Sequence, residues 1–442
     1  RGVPSMFPAG HKRDGYVRAD PGDPLAIMRA VQEALALKGE FEKPLYVRFD
    51  GSLCAHSRAG QEGCTRCLSV CPTGAISPDG EVVAIDPNIC AGCGACAAVC
   101  PTGAASLDDP PVAALFGQLS TLAGSFRTAG GTAPRVLFHD GGFGAEMIAL
   151  CARFGRGLPA DVIPVEVSNV ESVGHAELVA ALGVGFAEAR VLLSPLTDRT
   201  VPEREMALAA AILSGVGRGG IVALIDAADP DALEEALYDR PVPAALEEPI
   251  LPLGDRRQVT RLAAAALSGG DADRVPLPEG APYGAIDIDT DACTLCLACV
   301  SLCPPGALSD NPDKPMVSFQ ETACVQCGVC QTACPENAIT LRPQLDLAKE
   351  AMDYRVLNEE EPFACIECGK LFGVKSTIER VVAQLEGKHW MFKGSDNVRL
   401  IQMCDDCRVG AQYHMANSPL RMGERPRGRT TQDDLNARKK LN

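Results

Sequence analysis

The sequence predicts an α+β protein in which two cysteine-rich units flank an α/β domain with a parallel sheet, followed by a smaller four-cysteine module. Four cysteine quartets, each ending in Cys-Pro, form two pairs that lie far apart in the chain. The stretch between the pairs is poor in cysteine and alternates strand-like with helix-like runs, and two Cys-x2-Cys motifs follow the second pair. We therefore divide the chain into an extended or helical segment (1–43), a first cysteine-rich unit (44–110), the α/β domain (111–281), a second cysteine-rich unit (282–345), the four-cysteine module (346–414) and a basic tail (415–442).

Composition and charge limit the classes of partner. The 442 residues carry a formal net charge of −16 and are 46% hydrophobic. Nucleic acid is not expected as the main partner, because no broad basic face offsets the negative charge. The longest apolar run, residues 206–217, is too short to span a membrane. Clustered Cys-x2-Cys motifs indicate a reducing compartment, so we expect a cytoplasmic protein, either free or peripheral to a membrane-bound complex.

Sixteen of the 21 cysteines belong to the quartets. Three quartets have the spacing Cys-x2-Cys-x2-Cys-x3-Cys-Pro, whereas in the first quartet the residues 55–63 separate the first cysteine from the second. The quartets are Cys54, Cys64, Cys67 and Cys71; Cys90, Cys93, Cys96 and Cys100; Cys293, Cys296, Cys299 and Cys303; and Cys324, Cys327, Cys330 and Cys334. Zinc sites require neither this spacing nor the trailing proline.

The spacing resembles that of bacterial ferredoxins that hold two 4Fe–4S clusters, over roughly 130 of the 442 residues. In that family the cysteine before proline ligates the cluster of the other loop. The resemblance implies four 4Fe–4S clusters with four ligand sets: Cys54, Cys64, Cys67 and Cys100; Cys90, Cys93, Cys96 and Cys71; Cys293, Cys296, Cys299 and Cys334; and Cys324, Cys327, Cys330 and Cys303.

The stretched first quartet departs from the family pattern. We expect a 4Fe–4S cluster there, because a loop that bulges outward leaves the first thiolate in place. The alternatives are a 3Fe–4S cluster or ligation by His56, although His56 is better explained as a solvated or hydrogen-bonded loop residue. An inserted loop at this place is expected to contact a partner or to tune the potential of its cluster.

Five cysteines lie outside the quartets. Cys365, Cys368, Cys404 and Cys407 form two Cys-x2-Cys motifs separated by 35 residues, which predicts a closed tetrathiolate site for one structural zinc ion. A single iron ion of the rubredoxin type has the same ligand chemistry and is the alternative. Cys151 lies in an apolar helix-like run and is expected to pack in a core.

The central region predicts parallel strands near 136–139, 162–167, 191–194 and 221–225 and helices near 145–154, 176–182, 203–213 and 231–237. Residues 140–146 contain a weak dinucleotide fingerprint that lacks its third glycine, so a tight turn between strand and helix is the better interpretation. The runs 162–168, 177–182 and 191–195 resemble the delta subunit of methyl-viologen-reducing hydrogenase. The cysteine ligands of that family are missing here, which implies a domain that lost its cluster and serves as a scaffold.

The order of units resembles bacterial multi-cluster subunits of formate dehydrogenase or hydrogenase-type complexes. This resemblance implies an electron relay between a catalytic oxidoreductase subunit, which in the formate dehydrogenase case would depend on molybdenum or tungsten, and a second electron carrier. No catalytic residue is predicted, because neither a nucleophile–base pair nor a radical-SAM triplet stands out. The alternative is an assembly or maturation factor with structural or transient clusters. The basic tail is expected to be either a docking segment or simply solvated.

Overall fold

The computed structural model describes residues 11–238, 240–270, 273–385, 397–414, 430–433 and 436. Most of the predicted basic tail and residues 1–10 lie outside these described residues. The chain forms two compact units, a larger one within residues 1–292, 297–309 and 318–357 and a smaller one within residues 293–296, 310–317 and 358–442. None of the helices in the described ranges is both long enough and apolar enough to cross a bilayer.

The first cysteine-rich unit is built from short antiparallel strand pairs. Its elements, with the helix that precedes them, are α1 (Pro24–Ala36), β1 (Val47–Phe49), a 3₁₀ turn (Gly51–Leu53), β2 (Ser57–Arg58), β3 (Gln61–Glu62), α2 (Arg66–Val70), β4 (Ile76–Asp79), β5 (Val82–Ile85), α3 (Ala95–Val99) and β6 (Ala105–Leu107). Strand β1 pairs with β6, β2 with β3 and β4 with β5. Helix α1 starts where the Asp23 carboxylate accepts hydrogen bonds from the N–H groups of Leu25 and Ala26.

The central domain contains the predicted parallel sheet. Its elements are α4 (Val112–Thr128), β7 (Arg135–Asp140), α5 (Phe143–Phe154), β8 (Val162–Val167), a 3₁₀ turn (Val170–Ser172), α6 (His175–Gly183), β9 (Glu188–Leu192), α7 (Thr200–Gly215), β10 (Val222–Ile225), α8 (Pro230–Leu237) and α9 (Arg256–Ser268). The strand order is β10-β9-β7-β8, with every pair parallel. Apolar side chains such as Phe138, Val165 and Val191 pack against the covering helices in a large core.

Strand β9 begins three residues earlier than the apolar pattern predicts. Glu188 and Arg190 are charged, yet both are buried and form an ion pair with each other. The Arg135 guanidinium lies 3.7 Å from the second carboxylate oxygen of Glu188. Because each buried charge has a partner, charged residues are tolerated inside a strand that sequence reading had placed outside it.

The second cysteine-rich unit repeats the plan of the first. Its elements are β11 (Arg274–Pro276), β12 (Gly284–Ile288), α10 (Ala298–Ser301), β13 (Leu308–Asp310), β14 (Met316–Phe319), a 3₁₀ turn (Glu321–Ala323), α11 (Val329–Thr332) and β15 (Ile339–Asp346). Strand β15 pairs antiparallel with both β11 and β12.

The remaining elements include those of the four-cysteine module. They are a 3₁₀ turn (Lys349–Met352), β16 (Arg355–Glu359), β17 (Pro362–Ala364), β18 (Leu371–Val374), α12 (Lys375–Leu385), α13 (Asn397–Ile401) and α14 (Asp405–His414). Strands β17 and β18 form an antiparallel hairpin, and α12 lies in the gap between the two Cys-x2-Cys motifs.

Candidate metal centres

The structure brings the first predicted ligand set together around one cavity. Cys54, Cys64, Cys67 and Cys100 all line it, with apolar neighbours that include Phe49 and Val83. The set therefore combines three cysteines of one quartet with the last cysteine of the next. Burial, followed by the neighbouring thiolates of Cys100, Cys64 and Cys54, raises the pKa of Cys67 to about 12.

The second predicted set lies in the same unit, on and around α3. Burial, together with the Cys93, Cys90, Cys67 and Cys71 thiolates, raises the pKa of Cys96 well above its usual value. Burial also raises the pKa of Cys93 to about 12 despite a hydrogen bond from the Ala95 N–H. Cys71, the last cysteine of the first quartet, is thus a near neighbour of the thiols of the second.

In the second cysteine-rich unit, too, one cavity combines three cysteines of one quartet with the last cysteine of the other. Cys303, Cys324, Cys327 and Cys330 line one cavity together with Ile286 and Phe319. Burial and the three thiolates of Cys324, Cys327 and Cys303 raise the pKa of Cys330 above its usual range.

The remaining predicted ligand set consists of Cys293, Cys296, Cys299 and Cys334. Cys299 and Cys334 belong to the larger compact unit, and Cys293 and Cys296 to the smaller one. Cys299 is buried and Cys296 is exposed. The ligand set of these four cysteines stays a prediction from the spacing.

The turns after Cys-Pro explain why small residues occur there. The third residue after each closing cysteine has a positive φ angle: Gly74 (65°), Gly103 (72°), Gly306 (66°) and Asn337 (53°). This left-handed conformation turns the backbone back over the sulfur. The N–H of Ala75 then donates to Cys71 Sγ at 3.2 Å, and the N–H of Ala338 donates to Cys334 Sγ at 3.4 Å.

These residues fit an iron–sulfur cluster. The donor sets consist of thiols alone, and the cavities around them are lined mainly by apolar side chains. Burial and neighbouring thiolates raise the pKa values of Cys67, Cys96 and Cys330, so four thiolates at one place require a bound cation to offset their charge. Backbone N–H groups that already point at sulfur supply the hydrogen bonds that such clusters receive from proteins.

The four cysteines of the C-terminal module also come together. The Sγ atoms of Cys365, Cys368, Cys404 and Cys407 all lie within 4.8 Å of one another, and those of Cys368 and Cys404 are 3.7 Å apart. A tetrahedral site with metal–sulfur bonds of about 2.3 Å requires sulfur atoms about 3.8 Å apart. The turn between β17 and β18 holds the first two thiols, and the start of α14 holds the last two. The geometry fits a closed tetrathiolate site without deciding the metal.

His56 is buried, with Nδ1 3.1 Å from the Cys64 carbonyl oxygen. A ring N–H that donates to this carbonyl gives His56 a structural role in the inserted loop. Cys151 is fully buried under α8, where its thiol donates to the Pro230 carbonyl oxygen at 3.4 Å.

Two adjacent arginines at the start of α9 were missed by sequence reading. Arg256 donates to the carbonyl oxygens of Ala97 and Ala98, the two residues that follow Cys96 in the first cysteine-rich unit. Arg257 donates to the carbonyl oxygen of Cys324 at 2.8 Å in the second unit. The signal that predicts α9 is Asp255 followed three residues later by Gln258, which form a capping box here.

A cavity of about 560 Å³ lies at the carboxyl ends of β7, β8 and β9. Its lining includes the weak dinucleotide fingerprint and the carboxylates of Asp140, Glu166 and Glu171. Asp140 accepts hydrogen bonds from the N–H groups of Gly142 and Gly144, so it occupies the start of α5. An acidic lining disfavours a pyrophosphate group, and the fingerprint is better explained as a tight turn.

Comparison with protein families identifies the two cysteine-rich units. Two different family models, both described as a 4Fe-4S dicluster domain, match residues 62–104 and residues 292–339. The chain contains two 4Fe–4S dicluster domains. The match to the first dicluster domain starts after Cys54, in agreement with its stretched first quartet. The sequence matches no curated protein, so these two domains support an iron–sulfur electron-transfer protein without naming its complex.

Proposed function

We propose that the chain is an electron-transfer subunit that relays single electrons through four 4Fe–4S clusters within a larger oxidoreductase complex. The observation that carries the proposal is the crossing of thiols in the two dicluster domains, where cavities are lined by four cysteines drawn from both loops. When bound, each cluster takes up and releases one electron.

The protein's own residues set the conditions for that chemistry. Apolar side chains such as Val83 and Phe319 exclude water from the thiols. The N–H groups of Ala75, Ala105 and Ala338 donate to cysteine sulfur atoms, and such bonds favour the more negative, reduced state. No proton donor or substrate site is needed for a relay of this kind.

The proposed partners are a catalytic oxidoreductase subunit of the formate dehydrogenase or hydrogenase type and a second electron carrier. The support is the order of the units, which resembles the multi-cluster subunits of such complexes, together with the absence of a predicted catalytic constellation. We propose that the central α/β domain serves as the scaffold for the two dicluster domains and that the protein works in the cytoplasm.

For the four-cysteine module we propose one structural zinc ion held by Cys365, Cys368, Cys404 and Cys407. The support is the closed arrangement of four thiols, which leaves no position open for a substrate. Metal analysis by mass spectrometry distinguishes zinc from iron at this site.

The relay proposal is tested on anaerobically purified whole protein. A relay with four clusters carries ~16 irons, is reduced by dithionite and is reoxidised by a partner that co-purifies with it. A protein that carries far fewer irons while its zinc site is full, or whose reduced clusters pass no electrons to that partner, contradicts the relay and supports a maturation factor.

A further inference from the structure

The loop inserted in the first quartet is an ordered hairpin. Residues 55–63 replace the usual two residues, and β2 pairs with β3 inside them. The Gly63 N–H donates to the His56 carbonyl at 2.7 Å, and the Cys64 N–H donates to the Ala55 carbonyl at 2.9 Å. These two bonds close the base of the hairpin, so Cys54 and Cys64 stay close together despite the insertion.

The base of this hairpin lies against the second dicluster domain. A Cβ atom placed on Gly63 would lie only 2.5 Å from Cγ2 of Val329. Val329 is completely buried, starts α11 and lies between Cys327 and Cys330. Gly63 precedes Cys64 and Val329 precedes Cys330, so both residues in this contact are adjacent in sequence to a predicted cluster ligand.

Three arginine side chains also hold the two dicluster domains in this arrangement. Arg66, which lies beside Cys67, donates to the Gly280 carbonyl oxygen at 2.8 Å, just before β12. Arg256 and Arg257 hold the first and second dicluster domains to the same helix.

We propose that the contact between Gly63 and Val329 is an intramolecular electron-transfer junction that joins the two dicluster domains into one four-cluster path. This inference rests on the proposed relay. The order along the path is given by four cysteine sets: Cys71, Cys90, Cys93 and Cys96; Cys54, Cys64, Cys67 and Cys100; Cys303, Cys324, Cys327 and Cys330; and finally Cys293, Cys296, Cys299 and Cys334.

The step at the junction is a single electron transfer. One domain is oxidised by one electron as the other is reduced by one, with no bond formed or broken and no proton moved. Electron tunnelling slows exponentially with distance, so the absence of a side chain at Gly63 matters. A larger residue there has to push Val329 or the Ala55 carbonyl away, since both lie under 3.0 Å from the added Cβ.

The first test uses electron paramagnetic resonance on fully reduced whole protein. We expect the part of the spin–spin broadening that the second domain causes in the first domain's signals to be lost in the double variant Cys324→Ala and Cys327→Ala, which empties the site next to the junction, while broadening between the first domain's own two clusters remains. The control Cys296→Ala empties the far site of the second domain and should leave that broadening in place. First-domain signals that are unchanged in the double variant overturn the junction.

The second test measures electron redistribution by rapid freeze-quench after a substoichiometric pulse of reductant. Gly63→Leu should slow transfer between the domains by roughly tenfold or more, because small displacements of reacting centres have large rate effects. Glu62→Ala is the matched control, since Glu62 is the neighbouring residue and its side chain is exposed. A wild-type rate in Gly63→Leu, with the spin–spin interaction weakened, overturns the junction.

Different results contradict the junction and the electron relay. A protein with ~16 irons that is reduced and reoxidised normally, yet shows no interaction between its domains, contradicts the junction and leaves the relay intact. A protein that lacks the irons or the electron transfer to a partner contradicts the relay itself.

Discussion

At the scale of single residues, Arg257 connects three parts of the larger compact unit. Its guanidinium donates to the carbonyl oxygens of Pro282, Thr322 and Cys324 and lies over the Tyr283 ring, 4.5 Å from the ring centroid. An arginine can serve several acceptors at once because its donors are fixed in one plane. The loop that carries Cys324 therefore depends on a side chain from the central domain.

We predict that Arg257→Ala accelerates the loss of iron to a chelator. Its charged hydrogen bond to the Cys324 loop contributes about 1.5–3 kcal/mol by the usual value for such bonds. The measurement is the rate of iron release from whole protein. Arg274→Ala is the control, because Arg274 forms a more exposed ion pair with Asp346, worth about 1 kcal/mol or less. Equal release rates in the two variants contradict the prediction.

Another single residue, the buried His175, has two polar partners. His175 Nδ1 is 2.5 Å from Glu205 Oε2, and Nε2 is 2.9 Å from the Tyr283 hydroxyl. Burial by itself lowers the pKa of His175, but Tyr283 and Glu205 outweigh it and raise the pKa to about 9. His175 is therefore a cation at neutral pH, paired with the Glu205 carboxylate.

We predict a pH dependence of stability from this pair. A raised pKa in the folded state stabilises the protein fully below the unfolded value of about 6.5, and this stabilisation is lost as the pH rises through about 9. Glu205→Gln should lower stability at pH 6.5 by roughly 3–5 kcal/mol, because it leaves a buried cation without its partner. Thermal unfolding midpoints between pH 6.5 and 9 check this. The same pH slope in wild type and variant would contradict it.

At the scale of elements, the four turns after Cys-Pro repeat one backbone conformation. Three of them use glycine and the fourth uses Asn337, the residue type that tolerates this conformation best after glycine. A glycine at the same distance after three of the four Cys-Pro pairs is the signal of these turns in the sequence. Their dihedral angles and N–H···S bonds appear only in the folded loops.

Two matched substitutions test this explanation. Nothing lies within 4 Å of a Cβ added to Gly103, so Gly103→Ala probes backbone strain alone and should cost about 1–2 kcal/mol. Asn337→Gly removes such strain at the equivalent turn and should be neutral or stabilising. Thermal unfolding of the iron-loaded protein measures both. A neutral Gly103→Ala would show that the left-handed backbone is not required.

Some helices and strands can be predicted from the sequence pattern alone, and others cannot. Strand β8 lies where its apolar pattern predicts, at residues 162–167, because a fully or half-buried strand reveals itself by hydrophobicity. Helix α9 is not among the predicted helices, although its capping box and the spacing of its buried residues Val259, Ala263 and Leu267 are local signals. The pairing of its arginines with distant segments leaves no local signal.

At the scale of the whole molecule, the smaller compact unit combines the four-cysteine module with a piece of the second dicluster domain. The Thr377 hydroxyl in α12 donates to the carbonyl oxygen of Thr294 at 2.8 Å. Thr294 lies between Cys293 and Cys296. Helix α12 thus positions a cysteine loop that the sequence assigns to a different module.

We predict that Cys368→Ser removes the tetrathiolate metal and also loosens the loop with Cys293 and Cys296. Of the ~16 irons expected from four clusters, about 4 should be lost and about 12 retained. Metal analysis of purified protein measures zinc and iron separately. Cys151→Ser is the control, because Cys151 lies in an apolar core away from every predicted ligand set. Full iron content in Cys368→Ser would show that the loop with Cys293 and Cys296 does not depend on the tetrathiolate site, which contradicts the prediction.

The sequence by itself determined that the chain contains two 4Fe–4S dicluster domains. Cysteine spacing predicted them, because a cluster needs several thiols from one short loop, and that requirement is local in the chain. Only the tertiary structure decided how the two dicluster domains meet. The contact between Gly63 and Val329 joins residues far apart in sequence, and helix α9 of the central domain contacts both cysteine-rich units. The irregular cysteine spacing reveals the inserted hairpin. It does not reveal that the hairpin packs against Val329, because packing between distant segments is not encoded in any local pattern.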